Sequence, residues 1–271
     1  MQKEVVLISF LFILLFNINE IDNDNPPVNF VVTIDWEKER PEIGGSDIYE
    51  SIEETTLIIL DIFKEHNIKA TFLVEYDSMA DMFQFEELLK RIIDDGHEIG
   101  LHFHGTDWYD YNELKTWILS GKEKAKKYDQ DIVSFRAGCF VMTDDLKRIL
   151  KETGFLVDLS KAPGFLDWDT EDTIYFEDNL LILPLTSTEG RYLNFYKGNM
   201  EELTTKKIEA EYDTLVMYFH NWNIVNDDLT LNTEKIEEIK NYFTFIENKY
   251  NIRYMRCKEY YEYFKWLQSF E

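Results

Sequence analysis

Short segments rich in β-branched and apolar residues alternate along the chain with longer segments whose apolar residues recur at helical spacing. VNFVVTID (28–35) is the first of the short kind, and MFQFEELLKRIIDDG (82–96) is a long one that ends at a glycine, a common helix stop. The strands predicted in this way cover residues 28–35, 69–75, 97–103, 132–138, 155–160, 180–186, 214–221 and 252–256. The predicted helices cover residues 48–67, 82–96, 111–128 and 144–154, with two more near 233–249 and 258–269.

This alternation predicts parallel strands joined by helical crossovers, and therefore an α/β fold. The chain has seven or eight such units but neither GxGxxG nor GxxxxGK[ST], so a barrel is favoured over a doubly wound nucleotide-binding sheet. Residues 28–271 contain no internal repeat and no low-complexity tract, and they are predicted to form one domain.

The first 27 residues differ from the rest. An apolar run, Val5–Phe16, interrupted only by Ser9, is too short to span a bilayer comfortably but matches the apolar region of a secretory signal peptide. Glu4 and the lack of a small-residue cleavage site depart from that pattern, and a buried first strand or helix is the alternative. Residues 19–27 are polar, end in two prolines and are typical of a linker. We therefore expect a secreted, periplasmic or membrane-associated protein, with a cytoplasmic one as the alternative.

The formal net charge of −25 limits the partners that the protein can bind. Such an acidic surface repels phosphate backbones, so we expect no nucleic-acid partner. Membrane association is expected only through the N-terminal segment, and the sequence indicates no protein partner. Cys139 and Cys257 form no CxxC pair, so one disulfide and two free thiols both remain open.

Polar residues recur at the ends of the predicted strands, where barrels of parallel strands place their chemistry. These residues are Asp35 and Glu37, His102 and His104, Arg136, Asp158, and His220. Because residues i and i+2 of a strand point to the same side, roughly 6–7 Å apart, His102 and His104 can bind one metal ion. Imidazole and carboxylate ligands suit Zn²⁺ or a similar divalent ion, and a third ligand from Asp35 or Glu37 would leave a position open for water.

The remaining residues of that set suit acid–base catalysis. A carboxylate beside the metal could take a proton from water, and His220 could protonate a departing amine. Arg136 could pair with the carboxylate base. Two other histidines are predicted to be structural: His97 as a cap or surface group, and His66 at a helix C-terminus, where the helix dipole favours a cation.

Together these motifs resemble those of the polysaccharide deacetylases of the NodB-homology type. TIDWE, KATFLV, GHEIGLHFH, FRAG and LVMYFH occur in that family's order and span about residues 30–221. The resemblance implies a distorted (β/α) barrel of about seven parallel strands and a divalent-metal N-deacetylase. It also implies that Asp35 is the general base, His220 the general acid and Arg136 the partner of the base. Asp158 would support the acid or the base.

The chain departs from the family pattern in two places. The family has adjacent acids in its first motif, whereas Trp36 follows Asp35 here and Glu37 comes one residue later. The family's histidines are four residues apart, whereas Thr106 stands four residues after His102. His104 is the substitute, as expected of an atypical branch with an H-x-H motif.

These departures leave two assignments for the metal site. Our preferred one has Glu37, His102 and His104 as metal ligands and Asp35 as base, since strand alternation puts both acids on one side. The alternative exchanges the roles of Asp35 and Glu37, and Asp107 is a reserve ligand.

The sequence thus predicts a hydrolase, most simply a zinc enzyme, that removes an N-acetyl group from an amino sugar of a polysaccharide or glycoconjugate. An amide hydrolase acting on a small molecule and a metal-free carbohydrate-binding pseudoenzyme are the alternatives, because a fold alone does not determine substrate. Four aromatic residues near strand ends could stack on sugar rings or pack in the core. They are Trp108, Tyr109, Trp168 and Trp222.

Overall fold

The structure is a computed structural model that describes residues 26–40, 46–47, 51–78, 80–165, 169–188, 191–195 and 199–270. The apolar N-terminal segment up to residue 25 and Trp168 lie outside the described residues. Within the described part of the chain, no helix combines the length and apolar character needed to cross a membrane. Both cysteines are free thiols, Cys139 exposed and Cys257 buried.

The strands are β1 (Val28–Trp36), β2 (Glu39–Arg40), β3 (Ser46–Asp47), β4 (Thr71–Glu75), β5 (Glu98–Phe103), β6 (Ser134–Ala137), β7 (Val157–Asp158), β8 (Tyr175–Glu177), β9 (Leu180–Ile182), β10 (Ser187–Thr188), β11 (Arg191–Tyr192), β12 (Thr214–His220) and β13 (Ile252–Tyr254). The α-helices are α1 (Ile52–Glu65), α2 (Glu86–Asp94), α3 (Tyr111–Lys126), α4 (Asp144–Glu152), α5 (Met200–Glu209), α6 (Thr233–Lys249) and α7 (Cys257–Gln268). Short 3₁₀ helices cover Met82–Gln84, Gly138–Phe140 and Asn221–Ile224. The sequence pattern did not predict α5.

The main sheet runs in the order β12-β1-β4-β5-β6-β7-β9-β8, with β13 also paired to β1. All of its pairs are parallel except β8 with β9. Beyond β9 the chain reaches β12, because the Thr186 N–H donates to the Val216 carbonyl oxygen (3.1 Å) and the Thr186 hydroxyl accepts from the Val216 N–H (2.7 Å). The sheet therefore curls round on itself, and the predicted distorted (β/α) barrel is confirmed.

Alternation along the strands divides the buried side chains into two clusters. One includes Val31, Leu73 and Val216 with Tyr260 of α7, and we take it as the interior of the barrel. The other, which contains Phe30, fills the space between the sheet and the surrounding helices. Both faces of the sheet are thus covered, as expected for parallel strands.

Helix α7 closes the end of the barrel at which the strands begin. The Cys257 N–H donates to the Thr71 hydroxyl (3.0 Å), and the Lys258 N–H donates to the buried carboxylate of Glu98 (2.9 Å). Because the first turn of a helix presents unsatisfied N–H groups, Glu98 stabilises the start of α7. The opposite end, where the strands terminate, is left for the functional site.

Two histidines lie away from that end, in structural positions. His66 follows the last residue of α1, as predicted, and its Nδ1 lies 2.8 Å from the Glu247 carboxylate. The prediction of a cap or surface group is wrong for His97, which is buried against Phe63 and Phe72. Its Nδ1 accepts the Ala70 N–H, which ties the start of β5 to the start of β4.

Candidate active site

The ends of four strands bring most of the predicted site residues together. Asp35 of β1 lies opposite His220 of β12 in the sheet register, and His102 of β5 lies opposite Arg136 of β6. Glu37 follows β1 and His104 follows β5, each one residue beyond its strand. All of these side chains except those of His104 and His220 are almost completely buried.

Glu37, His102 and His104 form a tight triangle of ligand atoms. Glu37 Oε1 lies 2.8 Å from His102 Nε2 and 3.1 Å from His104 Nε2, and the two imidazole nitrogens are 3.0 Å apart. In a tetrahedral zinc site, bonds of about 2.0–2.2 Å put ligand atoms about 3.3–3.5 Å apart. The triangle is tighter than that spacing by about 0.2–0.7 Å, so these three residues fit a divalent metal ion after a small outward shift.

The tautomer of His102 supports this reading. Its Nδ1 lies 3.0 Å from the Arg136 carbonyl oxygen, which can only accept a hydrogen bond, so Nδ1 carries the proton. In the neutral ring, Nε2 then has no hydrogen, and its lone pair points toward Glu37 and His104. A metal-binding histidine usually has this arrangement, with one ring nitrogen donating to a carbonyl oxygen and the other facing the metal. Burial opposes ionisation of Glu37, but His220, His102 and His104 outweigh it and hold its pKa well below the usual range. The cluster therefore favours a positive charge at its centre.

His104 reaches this triangle because Gly138 leaves room for it. A Cβ atom at residue 138 would lie 2.3 Å from His104 Nδ1, so only glycine permits the observed ring position. The backbone N–H of His104 donates to the buried carboxylate of Asp77 (3.1 Å). Neither Gly138 nor Asp77 stood out in the sequence, although Gly138 closes the FRAG motif.

Asp35 is held on the other side of the site by the buried Arg136. Arg136 NH1 donates to Asp35 Oδ1 at 2.5 Å, NH2 donates to the Thr33 hydroxyl at 2.9 Å, and Nε donates to the Leu159 carbonyl oxygen at 3.1 Å. The guanidinium is thus fixed at three points and holds one carboxylate oxygen of Asp35. The structure therefore brings Arg136 to Asp35, as predicted.

His220 lies beside both acids without bonding closely to either. Its Nε2 is 3.8 Å from Asp35 Oδ2 and 3.7 Å from Glu37 Oε1, and its ring stacks on Trp222. Burial lowers the pKa of His220, and the two carboxylates offset part of that effect. A second group of possible ligand atoms, from Asp35, Glu37 and His220, shares Glu37 with the first.

Glu75 is a further carboxylate at this end of the barrel that the sequence reasoning missed. It ends β4 opposite His102 in the register, and it accepts the Lys38 N–H at 2.8 Å. Burial and the nearby charge of Glu37 raise its pKa to about 7. Glu75 is the last residue of the predicted strand KATFLVE, and this position at a strand end could have marked it as a candidate site residue.

Asp158 lies apart from this cluster, contrary to the prediction that it supports the acid or the base. It pairs in the register with Phe135, whose neighbour Arg136 points into the barrel, so Asp158 faces outward. Its Oδ1 accepts the Ser160 N–H at 2.9 Å, and burial raises its pKa to about 6. Within the described part of the chain its other carboxylate oxygen has no hydrogen-bond partner.

The reserve ligand Asp107 and the position of the missing histidine, Thr106, also lie outside the site. Asp107 is exposed and belongs to neither group of possible metal ligands found among the described residues. Thr106, at the position of the family's second histidine, is buried and donates its hydroxyl hydrogen to the Val141 carbonyl oxygen (2.6 Å).

Comparison with known proteins finds a matching family model over part of the chain. The family model for polysaccharide deacetylase matches residues 45–155. Over these residues the chain is similar to the polysaccharide deacetylase family. Enzymes of this family are hydrolases that act on carbon–nitrogen bonds of N-acetyl groups. The matched region includes the two histidines of the site and Arg136, whereas Asp35, Glu37 and His220 lie outside it.

Several solved structures share the fold of this chain. A candidate polysaccharide deacetylase from Mycobacterium smegmatis is 16% identical, with a TM-score of 0.65 over 89% of this chain and 91% of that one. Puue allantoinase is 16% identical, with a TM-score of 0.63 over 88% and 93%. A CE4-family pseudoenzyme from Bacillus anthracis is 13% identical, with a TM-score of 0.50 over 86% and 65%. A search of curated proteins finds no match.

Proposed function

We propose that the protein is a divalent-metal-dependent deacetylase that removes an N-acetyl group from an amino sugar of a polysaccharide or glycoconjugate. The observation that carries this proposal is the triangle of Glu37, His102 and His104 atoms, 2.8–3.1 Å apart, beside a carboxylate–arginine pair and a further histidine. Nitrogen and carboxylate ligands at this spacing suit Zn²⁺. The match of residues 45–155 to the polysaccharide deacetylase model supports the reaction class.

In this proposal Glu37, His102 and His104 hold the metal and Asp35 is the base. A bound divalent ion would lower the pKa of water and polarise the substrate carbonyl. Asp35 takes a proton from the water that attacks the acetyl carbonyl, and it does so with Oδ2, because Arg136 donates to Oδ1. His220, whose Nε2 lies 3.8 Å from that oxygen, donates a proton to the departing nitrogen.

A glycan substrate is supported by an exposed aromatic side chain close to the histidines in sequence. Trp108 is 62% exposed, and its ring lies so close to Gly105 that a Cβ there would be 2.2 Å from a ring atom. Exposed tryptophan rings suit stacking on sugars, since one face of a sugar ring is apolar. Tyr109 instead packs on Phe103 and Trp117.

Acetate release tests the proposal. The zinc-loaded protein should release acetate from N-acetylated glycans in preference to small amides, and Asp35→Asn or His220→Ala should each reduce the rate by about 100-fold or more. Near-normal activity in either variant would refute the role of that residue. Preference for a small amide would favour the alternative of a small-molecule amide hydrolase. An allantoinase is among the solved structures that share this fold.

Metal analysis separates the enzyme from a metal-free pseudoenzyme. The purified protein should hold one divalent ion per chain after loading, and His102→Ala should hold much less. A wild-type protein without stoichiometric metal would support a pseudoenzyme instead.

We also propose that the apolar N-terminal segment directs the protein to the cell surface or beyond it. Cell fractionation with and without residues 1–25 would test this.

A further inference from the structure

We propose that Trp222 and Asn221 are positioning residues that hold Glu37 in its ligand geometry, and that Trp222 aligns His220 at the same time. The inference rests on the proposed function, because it takes Glu37 as a metal ligand. Both residues come immediately after β12, in the sequence HNW, and both are buried.

Asn221 holds the backbone of Glu37. Its Oδ1 accepts the Glu37 N–H at 2.9 Å, and its Nδ2 donates to the Glu37 carbonyl oxygen at 3.0 Å. Glu37 lies one residue beyond β1, where the ladder to β12 has ended at the Asp35–His220 pair. The side-chain amide thus supplies the two hydrogen bonds that a neighbouring strand would otherwise provide, and it fixes the direction in which the Glu37 side chain leaves the backbone.

Trp222 holds the carboxylate itself. Its indole Nε1 donates to Glu37 Oε2 at 2.9 Å, which leaves Oε1 to face the nitrogens of His102 and His104. The same ring stacks on the His220 imidazole with centroids 4.2 Å apart and planes 22° apart. One side chain therefore sets the orientation of the carboxylate and of the imidazole.

The need for this support follows from the place of Glu37 in the chain. The neighbouring Trp36 points to the other side of the strand, where its Nε1 donates to the Thr56 hydroxyl at 2.9 Å. The acid is therefore displaced to residue 37 and is a glutamate, which has one more rotatable bond than aspartate. Freezing that bond costs conformational entropy on metal binding unless the protein has already fixed it. Groups that orient a metal ligand typically account for 10–100-fold in affinity.

The test compares two buried tryptophans that each donate one hydrogen bond. Trp222→Phe removes the donor to Glu37, and Trp36→Phe removes the matched donor to Thr56 outside the site. Zn²⁺ affinity, measured by competition with a chelator, should fall about tenfold or more in Trp222→Phe and stay within about twofold of wild type in Trp36→Phe. The visible absorption spectrum of the Co²⁺-loaded protein should change only in Trp222→Phe, because it reports ligand geometry.

Asn221→Asp provides a second variant if Trp222→Phe folds poorly. It keeps the shape and the acceptor but loses the donor to the Glu37 carbonyl oxygen, and Zn²⁺ affinity should again fall. Equal Zn²⁺ affinities and Co²⁺ spectra for wild type and both site variants would overturn this inference alone, provided that the wild type binds metal and releases acetate. A wild type that binds no metal would overturn both this inference and the proposed function.

Discussion

Removing the buried guanidinium of Arg136 should destabilise the protein mainly by leaving Asp35 without its partner. Arg136 is fully buried and Asp35 nearly so, and the pair is joined by a hydrogen bond of 2.5 Å. His220 Nε2 lies 3.8 Å from the carboxylate, too far for a hydrogen bond, so it does not replace Arg136. Arg136→Met fills much of the same space but leaves the Asp35 charge uncompensated, and breaking a buried pair in this way typically costs about 3–5 kcal/mol.

A double-mutant cycle measures how much of this loss of stability comes from the interaction between Arg136 and Asp35. Asp35→Asn keeps an acceptor for Arg136 but leaves the buried guanidinium charge without its counter-ion, so we expect a loss of similar size, about 3–5 kcal/mol. In the double variant neither charge remains, so its loss should be about 1–3 kcal/mol smaller than the sum of the single losses. Urea-induced unfolding at pH 7, followed by circular dichroism, gives the three free energies of unfolding.

Additive losses would refute this reasoning. They would mean that Arg136 stabilises the barrel through the Thr33 hydroxyl and the Leu159 carbonyl oxygen, independently of Asp35. Thr33→Val serves as the control, since it removes one of those contacts and leaves the ion pair in place. Its effect should be the same, within about 0.5 kcal/mol, whether residue 35 is aspartate or asparagine.

Three further predictions concern other parts of the molecule. Gly138→Ala should displace the His104 ring and weaken Zn²⁺ binding about as much as His104→Ala does, and the double variant should be no worse than either single variant. The pKa of His97 is lowered by burial to about 4, so the unfolded chain binds the proton first as the pH falls. Stability present above pH 6.5 is then lost towards pH 4, by about 3 kcal/mol. His97→Asn, which keeps the acceptor for the Ala70 N–H, should show a shallower fall in urea-induced unfolding over that range. Trp108→Ala should raise KM for a polymeric glycan several-fold and leave the rate on a small amide unchanged, and equal effects on both substrates would argue against sugar stacking.

Strand alternation explains why most of the site could be predicted from the sequence. Successive side chains of a strand point to opposite faces, so residues two positions apart share a face. The prediction that Asp35 and Glu37 share one face of β1, and His102 and His104 one face of β5, needed nothing more. The order of the motifs then supplied Arg136 and His220.

The same rule explains the error at Asp158. Strand β7 contains only two residues, so no pattern within it shows which one points inward. Moving the register by one residue turns every side chain to the other face. The pairing of Asp158 with Phe135 decided the matter, and that pairing joins segments more than 20 residues apart. A single polar residue near a strand end is therefore weaker evidence for a site residue than two polar residues spaced two positions apart on the same strand.

The two departures from the family pattern have one structural solution. Glu37 and His104 each lie one residue past the end of a strand, where the ladder no longer holds the backbone. In each case a buried side chain accepts the backbone N–H instead: Asn221 for Glu37 (2.9 Å) and Asp77 for His104 (3.1 Å). Moving a ligand beyond its strand keeps it on the inner face but removes its main-chain support. The support must then come from residues distant in sequence, which is why the ligands could be read from the motifs and their supporting residues could not.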